Sequence, residues 1–183
     1  MSPRPQPHAD DDPADRLARR VLWSLPTGLY VIGSTGEHQG RRRYNLMTAN
    51  LVVQVATQPR LIAVAVETDA LTAALIAAGR CFSVSVVRRE DRALVRHFVK
   101  PAKQITFDDA GVPLTMAGEG VSVVGTGAPV LGRALGWIDC ELHSLTPLGS
   151  HVLAIGRVRD VGADGPRTAQ PLRMEDTKMS YGG

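Results

Sequence analysis

The feature that most constrains the fold is a strand pattern that leads directly into a helix start. Residues 45–59 begin polar, become alternating and apolar, and stop at a proline, which predicts a β-strand. Residues 60–66 form a mostly apolar run typical of a buried strand, and residues 70–78 predict a helix. A polar strand beside a threonine-bearing helix N-terminus can hold a flat, phosphorylated ligand, because free N–H groups there favour an anion.

The ends of this central helix carry their own signals. Thr68 or Asp69 can cap its first turn, and Gly79 can end it. A carboxylate at the cap would compete with a ligand phosphate for the same N–H groups. Thr72 would then lie in the first turn, where its hydroxyl either donates to a bound phosphate or only supports the helix.

The remaining segments predict more strands than helices. Asp12 is a candidate N-cap for a helix that begins at Pro13, and a further helix is expected over 89–98. About seven strands and three helices that do not alternate strictly favour a mainly β fold with flanking helices, as a closed or split antiparallel barrel. Besides the strands at 45–59 and 60–66, strands are predicted at 29–34, 81–87, 121–124, 136–145 and 151–161, with a short one at 104–107 and a polar turn at 36–40.

Length and composition predict one domain with an aliphatic interior. The chain has 183 residues, of which 44% are hydrophobic and only 4% aromatic, so Val, Ala, Leu and Ile must build the core. Residues 1–12 are rich in Pro and Asp and predict a disordered tail, followed by a single domain over 13–183.

Charge and hydropathy exclude several function classes. The formal charge of +3 is dispersed apart from Arg41, Arg42 and Arg43, which argues against nucleic-acid binding. This arginine run is either a solvated loop or a contact to a ligand phosphate. No signal peptide and no apolar run of about 18 residues is present, so we expect no membrane span and a cytoplasmic protein. Cys81 and Cys140 lie in apolar strands and predict buried thiols.

Familiar catalytic motifs are absent. No glycine-rich dinucleotide fingerprint, phosphate loop or serine nucleophile elbow occurs. None of the five histidines has a second ligand at metal spacing, so no metal site is predicted. His151 follows a Pro-Leu-Gly-Ser segment. It is either an ordinary polar residue at the start of a strand or a side chain that projects from the barrel edge into a site.

Five blocks of sequence, in order, resemble the flavin reductase-like family of FMN-binding split barrels, whose members include the NAD(P)H:flavin oxidoreductase components of two-component monooxygenases. Together they cover most of residues 22–183, and their order makes coincidence a poor explanation. The blocks are 25–32 (LPTGLYVI), 47–50 (MTAN) with 55–59, 71–76 (LTAALI) with 82–86 (FSVSV), 127–142 (GAPVLGRALGWIDCEL) and 149–158 (GSHVLAIGRV), and the chain ends in YGG.

The resemblance implies that FMN, or FAD, lies across the barrel near a homodimer interface. It places a catalytic histidine, His151, on the nicotinamide side of the flavin. The chain departs from the family at Asp69 and Ala70, where two small hydroxyl residues are frequent, and at Ser150, where an aspartate would orient the histidine. The implied cofactor-binding residues are Thr27, Met47, Thr48, Ala49 and Asn50 for the flavin ring and ribityl chain, and Leu71 and Thr72 for the phosphate.

The resemblance also implies the activity. We expect an enzyme that transfers hydride from NADH or NADPH to FMN or FAD and supplies reduced flavin to a partner monooxygenase. The cofactor carries the difficult chemistry, which agrees with the lack of an acid/base pair in the sequence. Two alternatives stay open: an FMN-bearing flavoprotein acting on its own organic substrate, and a non-catalytic barrel that binds flavin or haem.

Overall fold

The computed structural model describes residues 12–163 and 168–177, which form two antiparallel sheets and two α-helices. Most of the predicted tail and the final YGG lie outside these ranges. The carboxylate of Asp12 accepts the N–H of Ala14 at 3.0 Å, as predicted for an N-cap. The helices are α1 (Pro13–Leu22) and α2 (Leu71–Gly79), and the strands are β1 (Tyr30–His38), β2 (Arg41–Ala49), β3 (Val52–Thr57), β4 (Arg60–Glu67), β5 (Cys81–Val86), β6 (Ile105–Phe107), β7 (Pro113–Met116), β8 (Glu119–Val123), β9 (Pro129–Leu131), β10 (Gly136–Leu148) and β11 (His151–Ala163).

The larger sheet is a barrel that is split along one side. Its strand order is β2-β1-β5-β10-β11-β4-β3, so β2 and β3 are its two edges. Yet only Asn50 and Leu51 separate these strands in sequence. Two residues span only about 7 Å, so the sheet must curl until its edges meet at this corner. The predicted mainly β, split-barrel fold with flanking helices is thereby confirmed.

Two apolar clusters lie on opposite faces of β1 and β2, because side chains alternate along a strand. The inner cluster fills the barrel around Phe82 and includes Ile32, Val64 and Ile76 from β1, β4 and α2. The outer cluster, with Phe98 completely buried, lies under the second sheet, β6-β7-β8-β9.

Helix α2 packs closely on β1 because glycine is present where they meet. A Cβ at Gly36 would lie 2.7 Å from the carbonyl oxygen of Leu75, and one at Gly79 would lie 1.8 Å from the carbonyl oxygen of Thr35. No L side chain can be accommodated at such distances. The contact holds the N-terminus of α2 over the inner face of β2.

Three predictions about local structure are wrong or incomplete. The strand predicted over 45–59 is two strands, because the alternating pattern continues through the barrel corner at 50–51. The helix predicted over 89–98 is two short 3-10 turns, Arg89–Asp91 and Leu94–Phe98. The polar turn predicted at 36–40 is only the pair Gln39–Gly40, since β1 extends to His38.

The predicted cap of α2 is also wrong. Its N-cap is Ala70, and no side chain caps the helix. The hydroxyl of Thr68 instead donates to the carbonyl of Gly149 at 3.2 Å, and its N–H donates to the carbonyl of Ser150 at 3.0 Å. The β10–β11 turn therefore takes the Thr68 hydroxyl that could have capped the helix.

The apolar side chains of α1 and of the turn after it are not covered by the described part of the chain. Leu17, Val21, Leu22 and Leu25 are 54–63% exposed. None of the described helices combines the length and apolarity that a membrane crossing requires.

Candidate functional site

One end of the barrel gathers the segments predicted to form the site. The end of β2 pairs with the start of β1, where Ala49 lies opposite Tyr30. The corner that follows joins β4, since the carbonyl of Leu51 accepts the N–H of Ala65 at 3.0 Å. Two residues further along β4, Glu67 lies opposite His151 in β11. The MTAN segment, the start of α2 and His151 therefore meet at the same end of the barrel.

The N-terminus of α2 carries no side-chain cap and has the chemistry of an anion site. Ala70 carries no capping side chain, so no carboxylate competes for the first-turn N–H groups, contrary to the expectation for Asp69. Leu71 is half-buried and Thr72 is buried. The amide of Asn45 in β2 donates to the hydroxyl oxygen of Thr72 at 2.9 Å. This leaves the Thr72 O–H as a donor for another partner.

Two buried polar residues beneath α2 were not singled out from the sequence. Ser34 is completely buried and faces Asn45 across the β1–β2 pair. Within the described ranges the Ser34 hydroxyl has no hydrogen-bond partner. An unpaired buried hydroxyl is costly, and this one lies opposite the asparagine that bonds Thr72. The available signal was a polar residue at an inward position of an otherwise alternating strand.

The MTAN segment offers a ligand mainly its backbone, because the side chains of Thr48 and Ala49 are buried. Thr48 is buried, and its hydroxyl donates to the carbonyl of Val95 at 2.5 Å, in the outer cluster. Met47 packs against the inner cluster and Ala49 belongs to it, while Asn50 is half-buried at the corner. Because β2 is an edge strand, alternate N–H and C=O groups point away from β1. Such an edge can pair with the donor and acceptor groups of a flat heterocycle.

Thr27 lies at the same end of the barrel, just before β1. It is half-buried, and its carbonyl accepts the N–H of Met174 at 3.0 Å. Its side chain is therefore partly accessible beside the end of β2.

His151 is half-buried at the start of β11 and has a hydrogen-bond partner. The hydroxyl of Ser150 lies 2.9 Å from its Nδ1 atom. The expectation that Ser150 leaves the histidine without an orienting group is therefore wrong. A serine hydroxyl can donate to or accept from the ring, so it orients His151 without adding negative charge.

A second polar pair stabilises the outer face, away from His151. Asp139 is 1% exposed and accepts both the N–H of Thr126 at 2.9 Å and its hydroxyl at 2.5 Å. Burial, followed by the nearby Asp139 carboxylate, raises the pKa of the Cys140 thiol to about 12. Burial also raises the pKa of Cys81. Both thiols are buried, as predicted.

The three arginines are the first residues of β2, directly after the turn at Gln39–Gly40. Arg41 and Arg42 are exposed and Arg43 is half-buried. The guanidinium of Arg42 lies over the ring of Tyr44 at 5.7 Å.

Among residues 12–163 and 168–177, no group of three or more His, Cys, Asp or Glu side chains is placed to hold a metal ion.

The fold and this site define a class of protein. The sequence profile of the flavin reductase like domain matches residues 22–183, so the chain belongs to that family, as the sequence blocks predicted. An uncapped α2 and an open edge strand suit a phosphorylated flavin, so the residues present fit this cofactor.

Individual relatives agree with the family. The chain is 32% identical over 161 residues to an NADH-dependent FAD reductase of Streptomyces globisporus, covering 86% of this chain and 82% of the relative. It is 28% identical over 151 residues to the reductase component of 4-hydroxyphenylacetate 3-monooxygenase from Thermus thermophilus, covering 81% and 86%. The solved structure of an NADH:FAD oxidoreductase of Streptomyces globisporus superposes with a TM-score of 0.70 at 25% identity, covering 93% of each chain.

Proposed function

We propose that this chain is an NAD(P)H-dependent flavin reductase that transfers hydride to FMN or FAD and supplies reduced flavin to a partner monooxygenase. The observation that carries the proposal is the meeting of three features at one barrel end: the uncapped start of α2, the open edge of β2 and His151. Family membership and relatives named as NADH-dependent reductases confirm the predicted enzyme class.

The chain's own groups would hold the flavin by shape and hydrogen bonding. The backbone of residues 47–50 would pair with the pyrimidine edge of the ring, with Thr27 beside it. The first-turn N–H groups at Leu71, with the hydroxyl of Thr72, would bind the phosphate. When bound, the flavin supplies the hydride chemistry. The chain's task is to align two rings and to exclude water between them.

His151 would act where nicotinamide stacks on the flavin. Its ring projects from the start of β11 at the same end as Glu67 and α2, and Ser150 orients it. An imidazole in this position can bind the carboxamide of the nicotinamide. NADH is favoured as the hydride donor because two relatives are named as NADH-dependent reductases, and NADPH is the alternative.

We also infer a homodimer that covers the site. Edge strand β3 and the corner before it expose Leu51, Val53 and Val55 at 46%, 59% and 50%. An open, apolar edge next to a ligand site is unfavourable in water and is typically covered by another chain. A two-fold dimer is the commonest such arrangement. The reductase components among the relatives support a monooxygenase as the consumer of reduced flavin.

The decisive experiment measures oxidation of NADH and NADPH with added FMN, FAD or riboflavin, and without flavin. We expect nucleotide oxidation that depends on free flavin. Oxidation that requires an organic substrate but no added flavin would favour the self-contained flavoprotein instead. A chain that binds flavin or haem without oxidising either nucleotide would be a binding barrel.

A further inference from the structure

An aromatic surface lies on the outer side of edge strand β2, and we call Arg42, Tyr44 and Phe107 the Tyr44 platform. The Arg42 guanidinium is 5.7 Å from the centroid of the Tyr44 ring. The Phe107 ring centroid is 6.4 Å from that of Tyr44, with 53° between the planes. Phe107 is 49% exposed, whereas the other two phenylalanines, Phe82 and Phe98, are completely buried. An aromatic ring held in place with half its surface in water can stack on another ring.

The charge around the platform favours an anion. Arginines 41–43 form no ion pair within 4.0 Å with another described residue. Glu37 on β1 lies opposite Arg42 and is the carboxylate that faces this surface from the neighbouring strand. Asp108 follows Phe107 but accepts two N–H bonds from its own turn, at 2.8 and 2.9 Å. Arg41 and Arg43 lie on the opposite face of β2 from Arg42, so the cationic groups line both sides of the free strand edge rather than the platform alone.

The platform is adjacent to the proposed phosphate site. Tyr44 directly precedes Asn45, whose amide is 2.9 Å from the hydroxyl of Thr72 at the start of α2. Successive side chains of a strand lie on opposite faces, so the platform and the start of α2 flank the free edge of β2. Tyr44 and Asn45 are neighbours in β2, so a nucleotide that extends from the phosphate has only this one strand edge to pass before it meets Tyr44. Arg43 lies on the way.

We propose that the Tyr44 platform stacks the adenine of FAD, with arginines 41–43 beside its second phosphate. The inference rests on the proposed flavin reductase function and adds a flavin preference to it. FMN and riboflavin lack adenine and cannot use the platform. An adenine nucleotide is also half of NADH, so the experiment must separate the two sources.

The test compares the dissociation constants of FAD and FMN for the full-length wild type and for Phe107→Ser. Stacking of a base on an aromatic side chain is typically worth about tenfold to 100-fold in affinity. FAD affinity should fall by that factor in Phe107→Ser, while FMN affinity stays within twofold. The matched control is Leu114→Ser, which removes a side chain of similar exposure, 51%, from the adjacent strand β7. This control should change neither constant.

Other outcomes overturn the inference. Equal loss of FAD and FMN binding in Phe107→Ser, or no loss of either, would refute the adenine site and leave the proposed reductase function unaffected. An unchanged FAD constant with a raised KM for NADH, measured with FMN as acceptor, would assign the platform to NADH instead. A wild type that binds neither flavin would refute the proposed function itself. Phe107→Leu keeps apolar packing against Tyr44, so a selective FAD defect in that variant excludes misfolding as the cause.

Discussion

The hydrogen bond between Asn45 and Thr72 predicts two separable effects of Thr72→Val. Valine matches the shape of threonine but removes the hydroxyl that accepts the Asn45 amide at 2.9 Å. Thr72 is 1% and Asn45 3% exposed, so water cannot replace the lost partner. An unsatisfied buried donor costs about 1–3 kcal/mol, and we expect the free energy of unfolding to fall by that amount.

The second effect concerns the ligand. If the Thr72 O–H donates to the flavin phosphate, Thr72→Val also loses a hydrogen bond to a charged group, worth about 1.5–3 kcal/mol. FMN affinity should then fall by about one to two decades, whereas riboflavin, which has no phosphate, should bind nearly unchanged. Thr72→Ser keeps the hydroxyl and should restore FMN affinity and the Asn45 bond, with a remaining stability loss of about 0.8 kcal/mol for the buried methyl group.

Urea denaturation and fluorescence titration with FMN and riboflavin measure the two effects on the same samples. Equal loss of FMN and riboflavin binding would show that Thr72 acts only through the fold. Unchanged FMN binding in a destabilised variant would show that its hydroxyl does not contact the phosphate. Unchanged stability would refute the importance of the Asn45 bond.

Three further predictions test other parts of the molecule. His151→Ala should slow the reduction of bound flavin by NADH in stopped-flow measurements, about tenfold for each 1.4 kcal/mol of transition-state stabilisation lost, and should retain flavin affinity. The control is His143→Ala, which changes an exposed histidine. Equal rates in the two variants would leave His151 without a catalytic role. Val53→Lys should give a monomer by light scattering, whereas a monomeric wild type would contradict the dimer. Since burial and Asp139 raise the pKa of Cys140 from 9.0 to about 12, the folded chain keeps a proton that the unfolded chain loses. Stability should therefore fall as pH rises from 9 to 12, by at most about 1.4 kcal/mol per pH unit, and Cys140→Ala should reduce this slope in urea titrations unless other groups cause it.

Much of the fold could be predicted because it depends on local patterns. The alternation of apolar and polar residues predicted β5, β10 and β11. The pair Asp12 and Pro13 predicted the start of α1. The short strands β7 and β9 were missed, although the equally short β6 was predicted, since three or four residues show too little of a period to be found reliably. The break between β2 and β3 was missed for the opposite reason, since the alternation continues across a corner that only barrel closure requires.

The candidate site likewise combines features that are visible in the sequence with features that only the tertiary structure shows. The sequence by itself determined which segments carry the candidate residues, because threonine, histidine and glycine at particular spacings are visible in one dimension. Only the tertiary structure decided what those side chains do. Thr72 meets Asn45 at a separation of 27 residues, Thr48 meets Val95 at 47, and Thr68 meets Gly149 at 81. A hydroxyl binds whichever partner packing brings within 3 Å or so, and that partner is set by strand pairing and barrel closure rather than by neighbours in the chain.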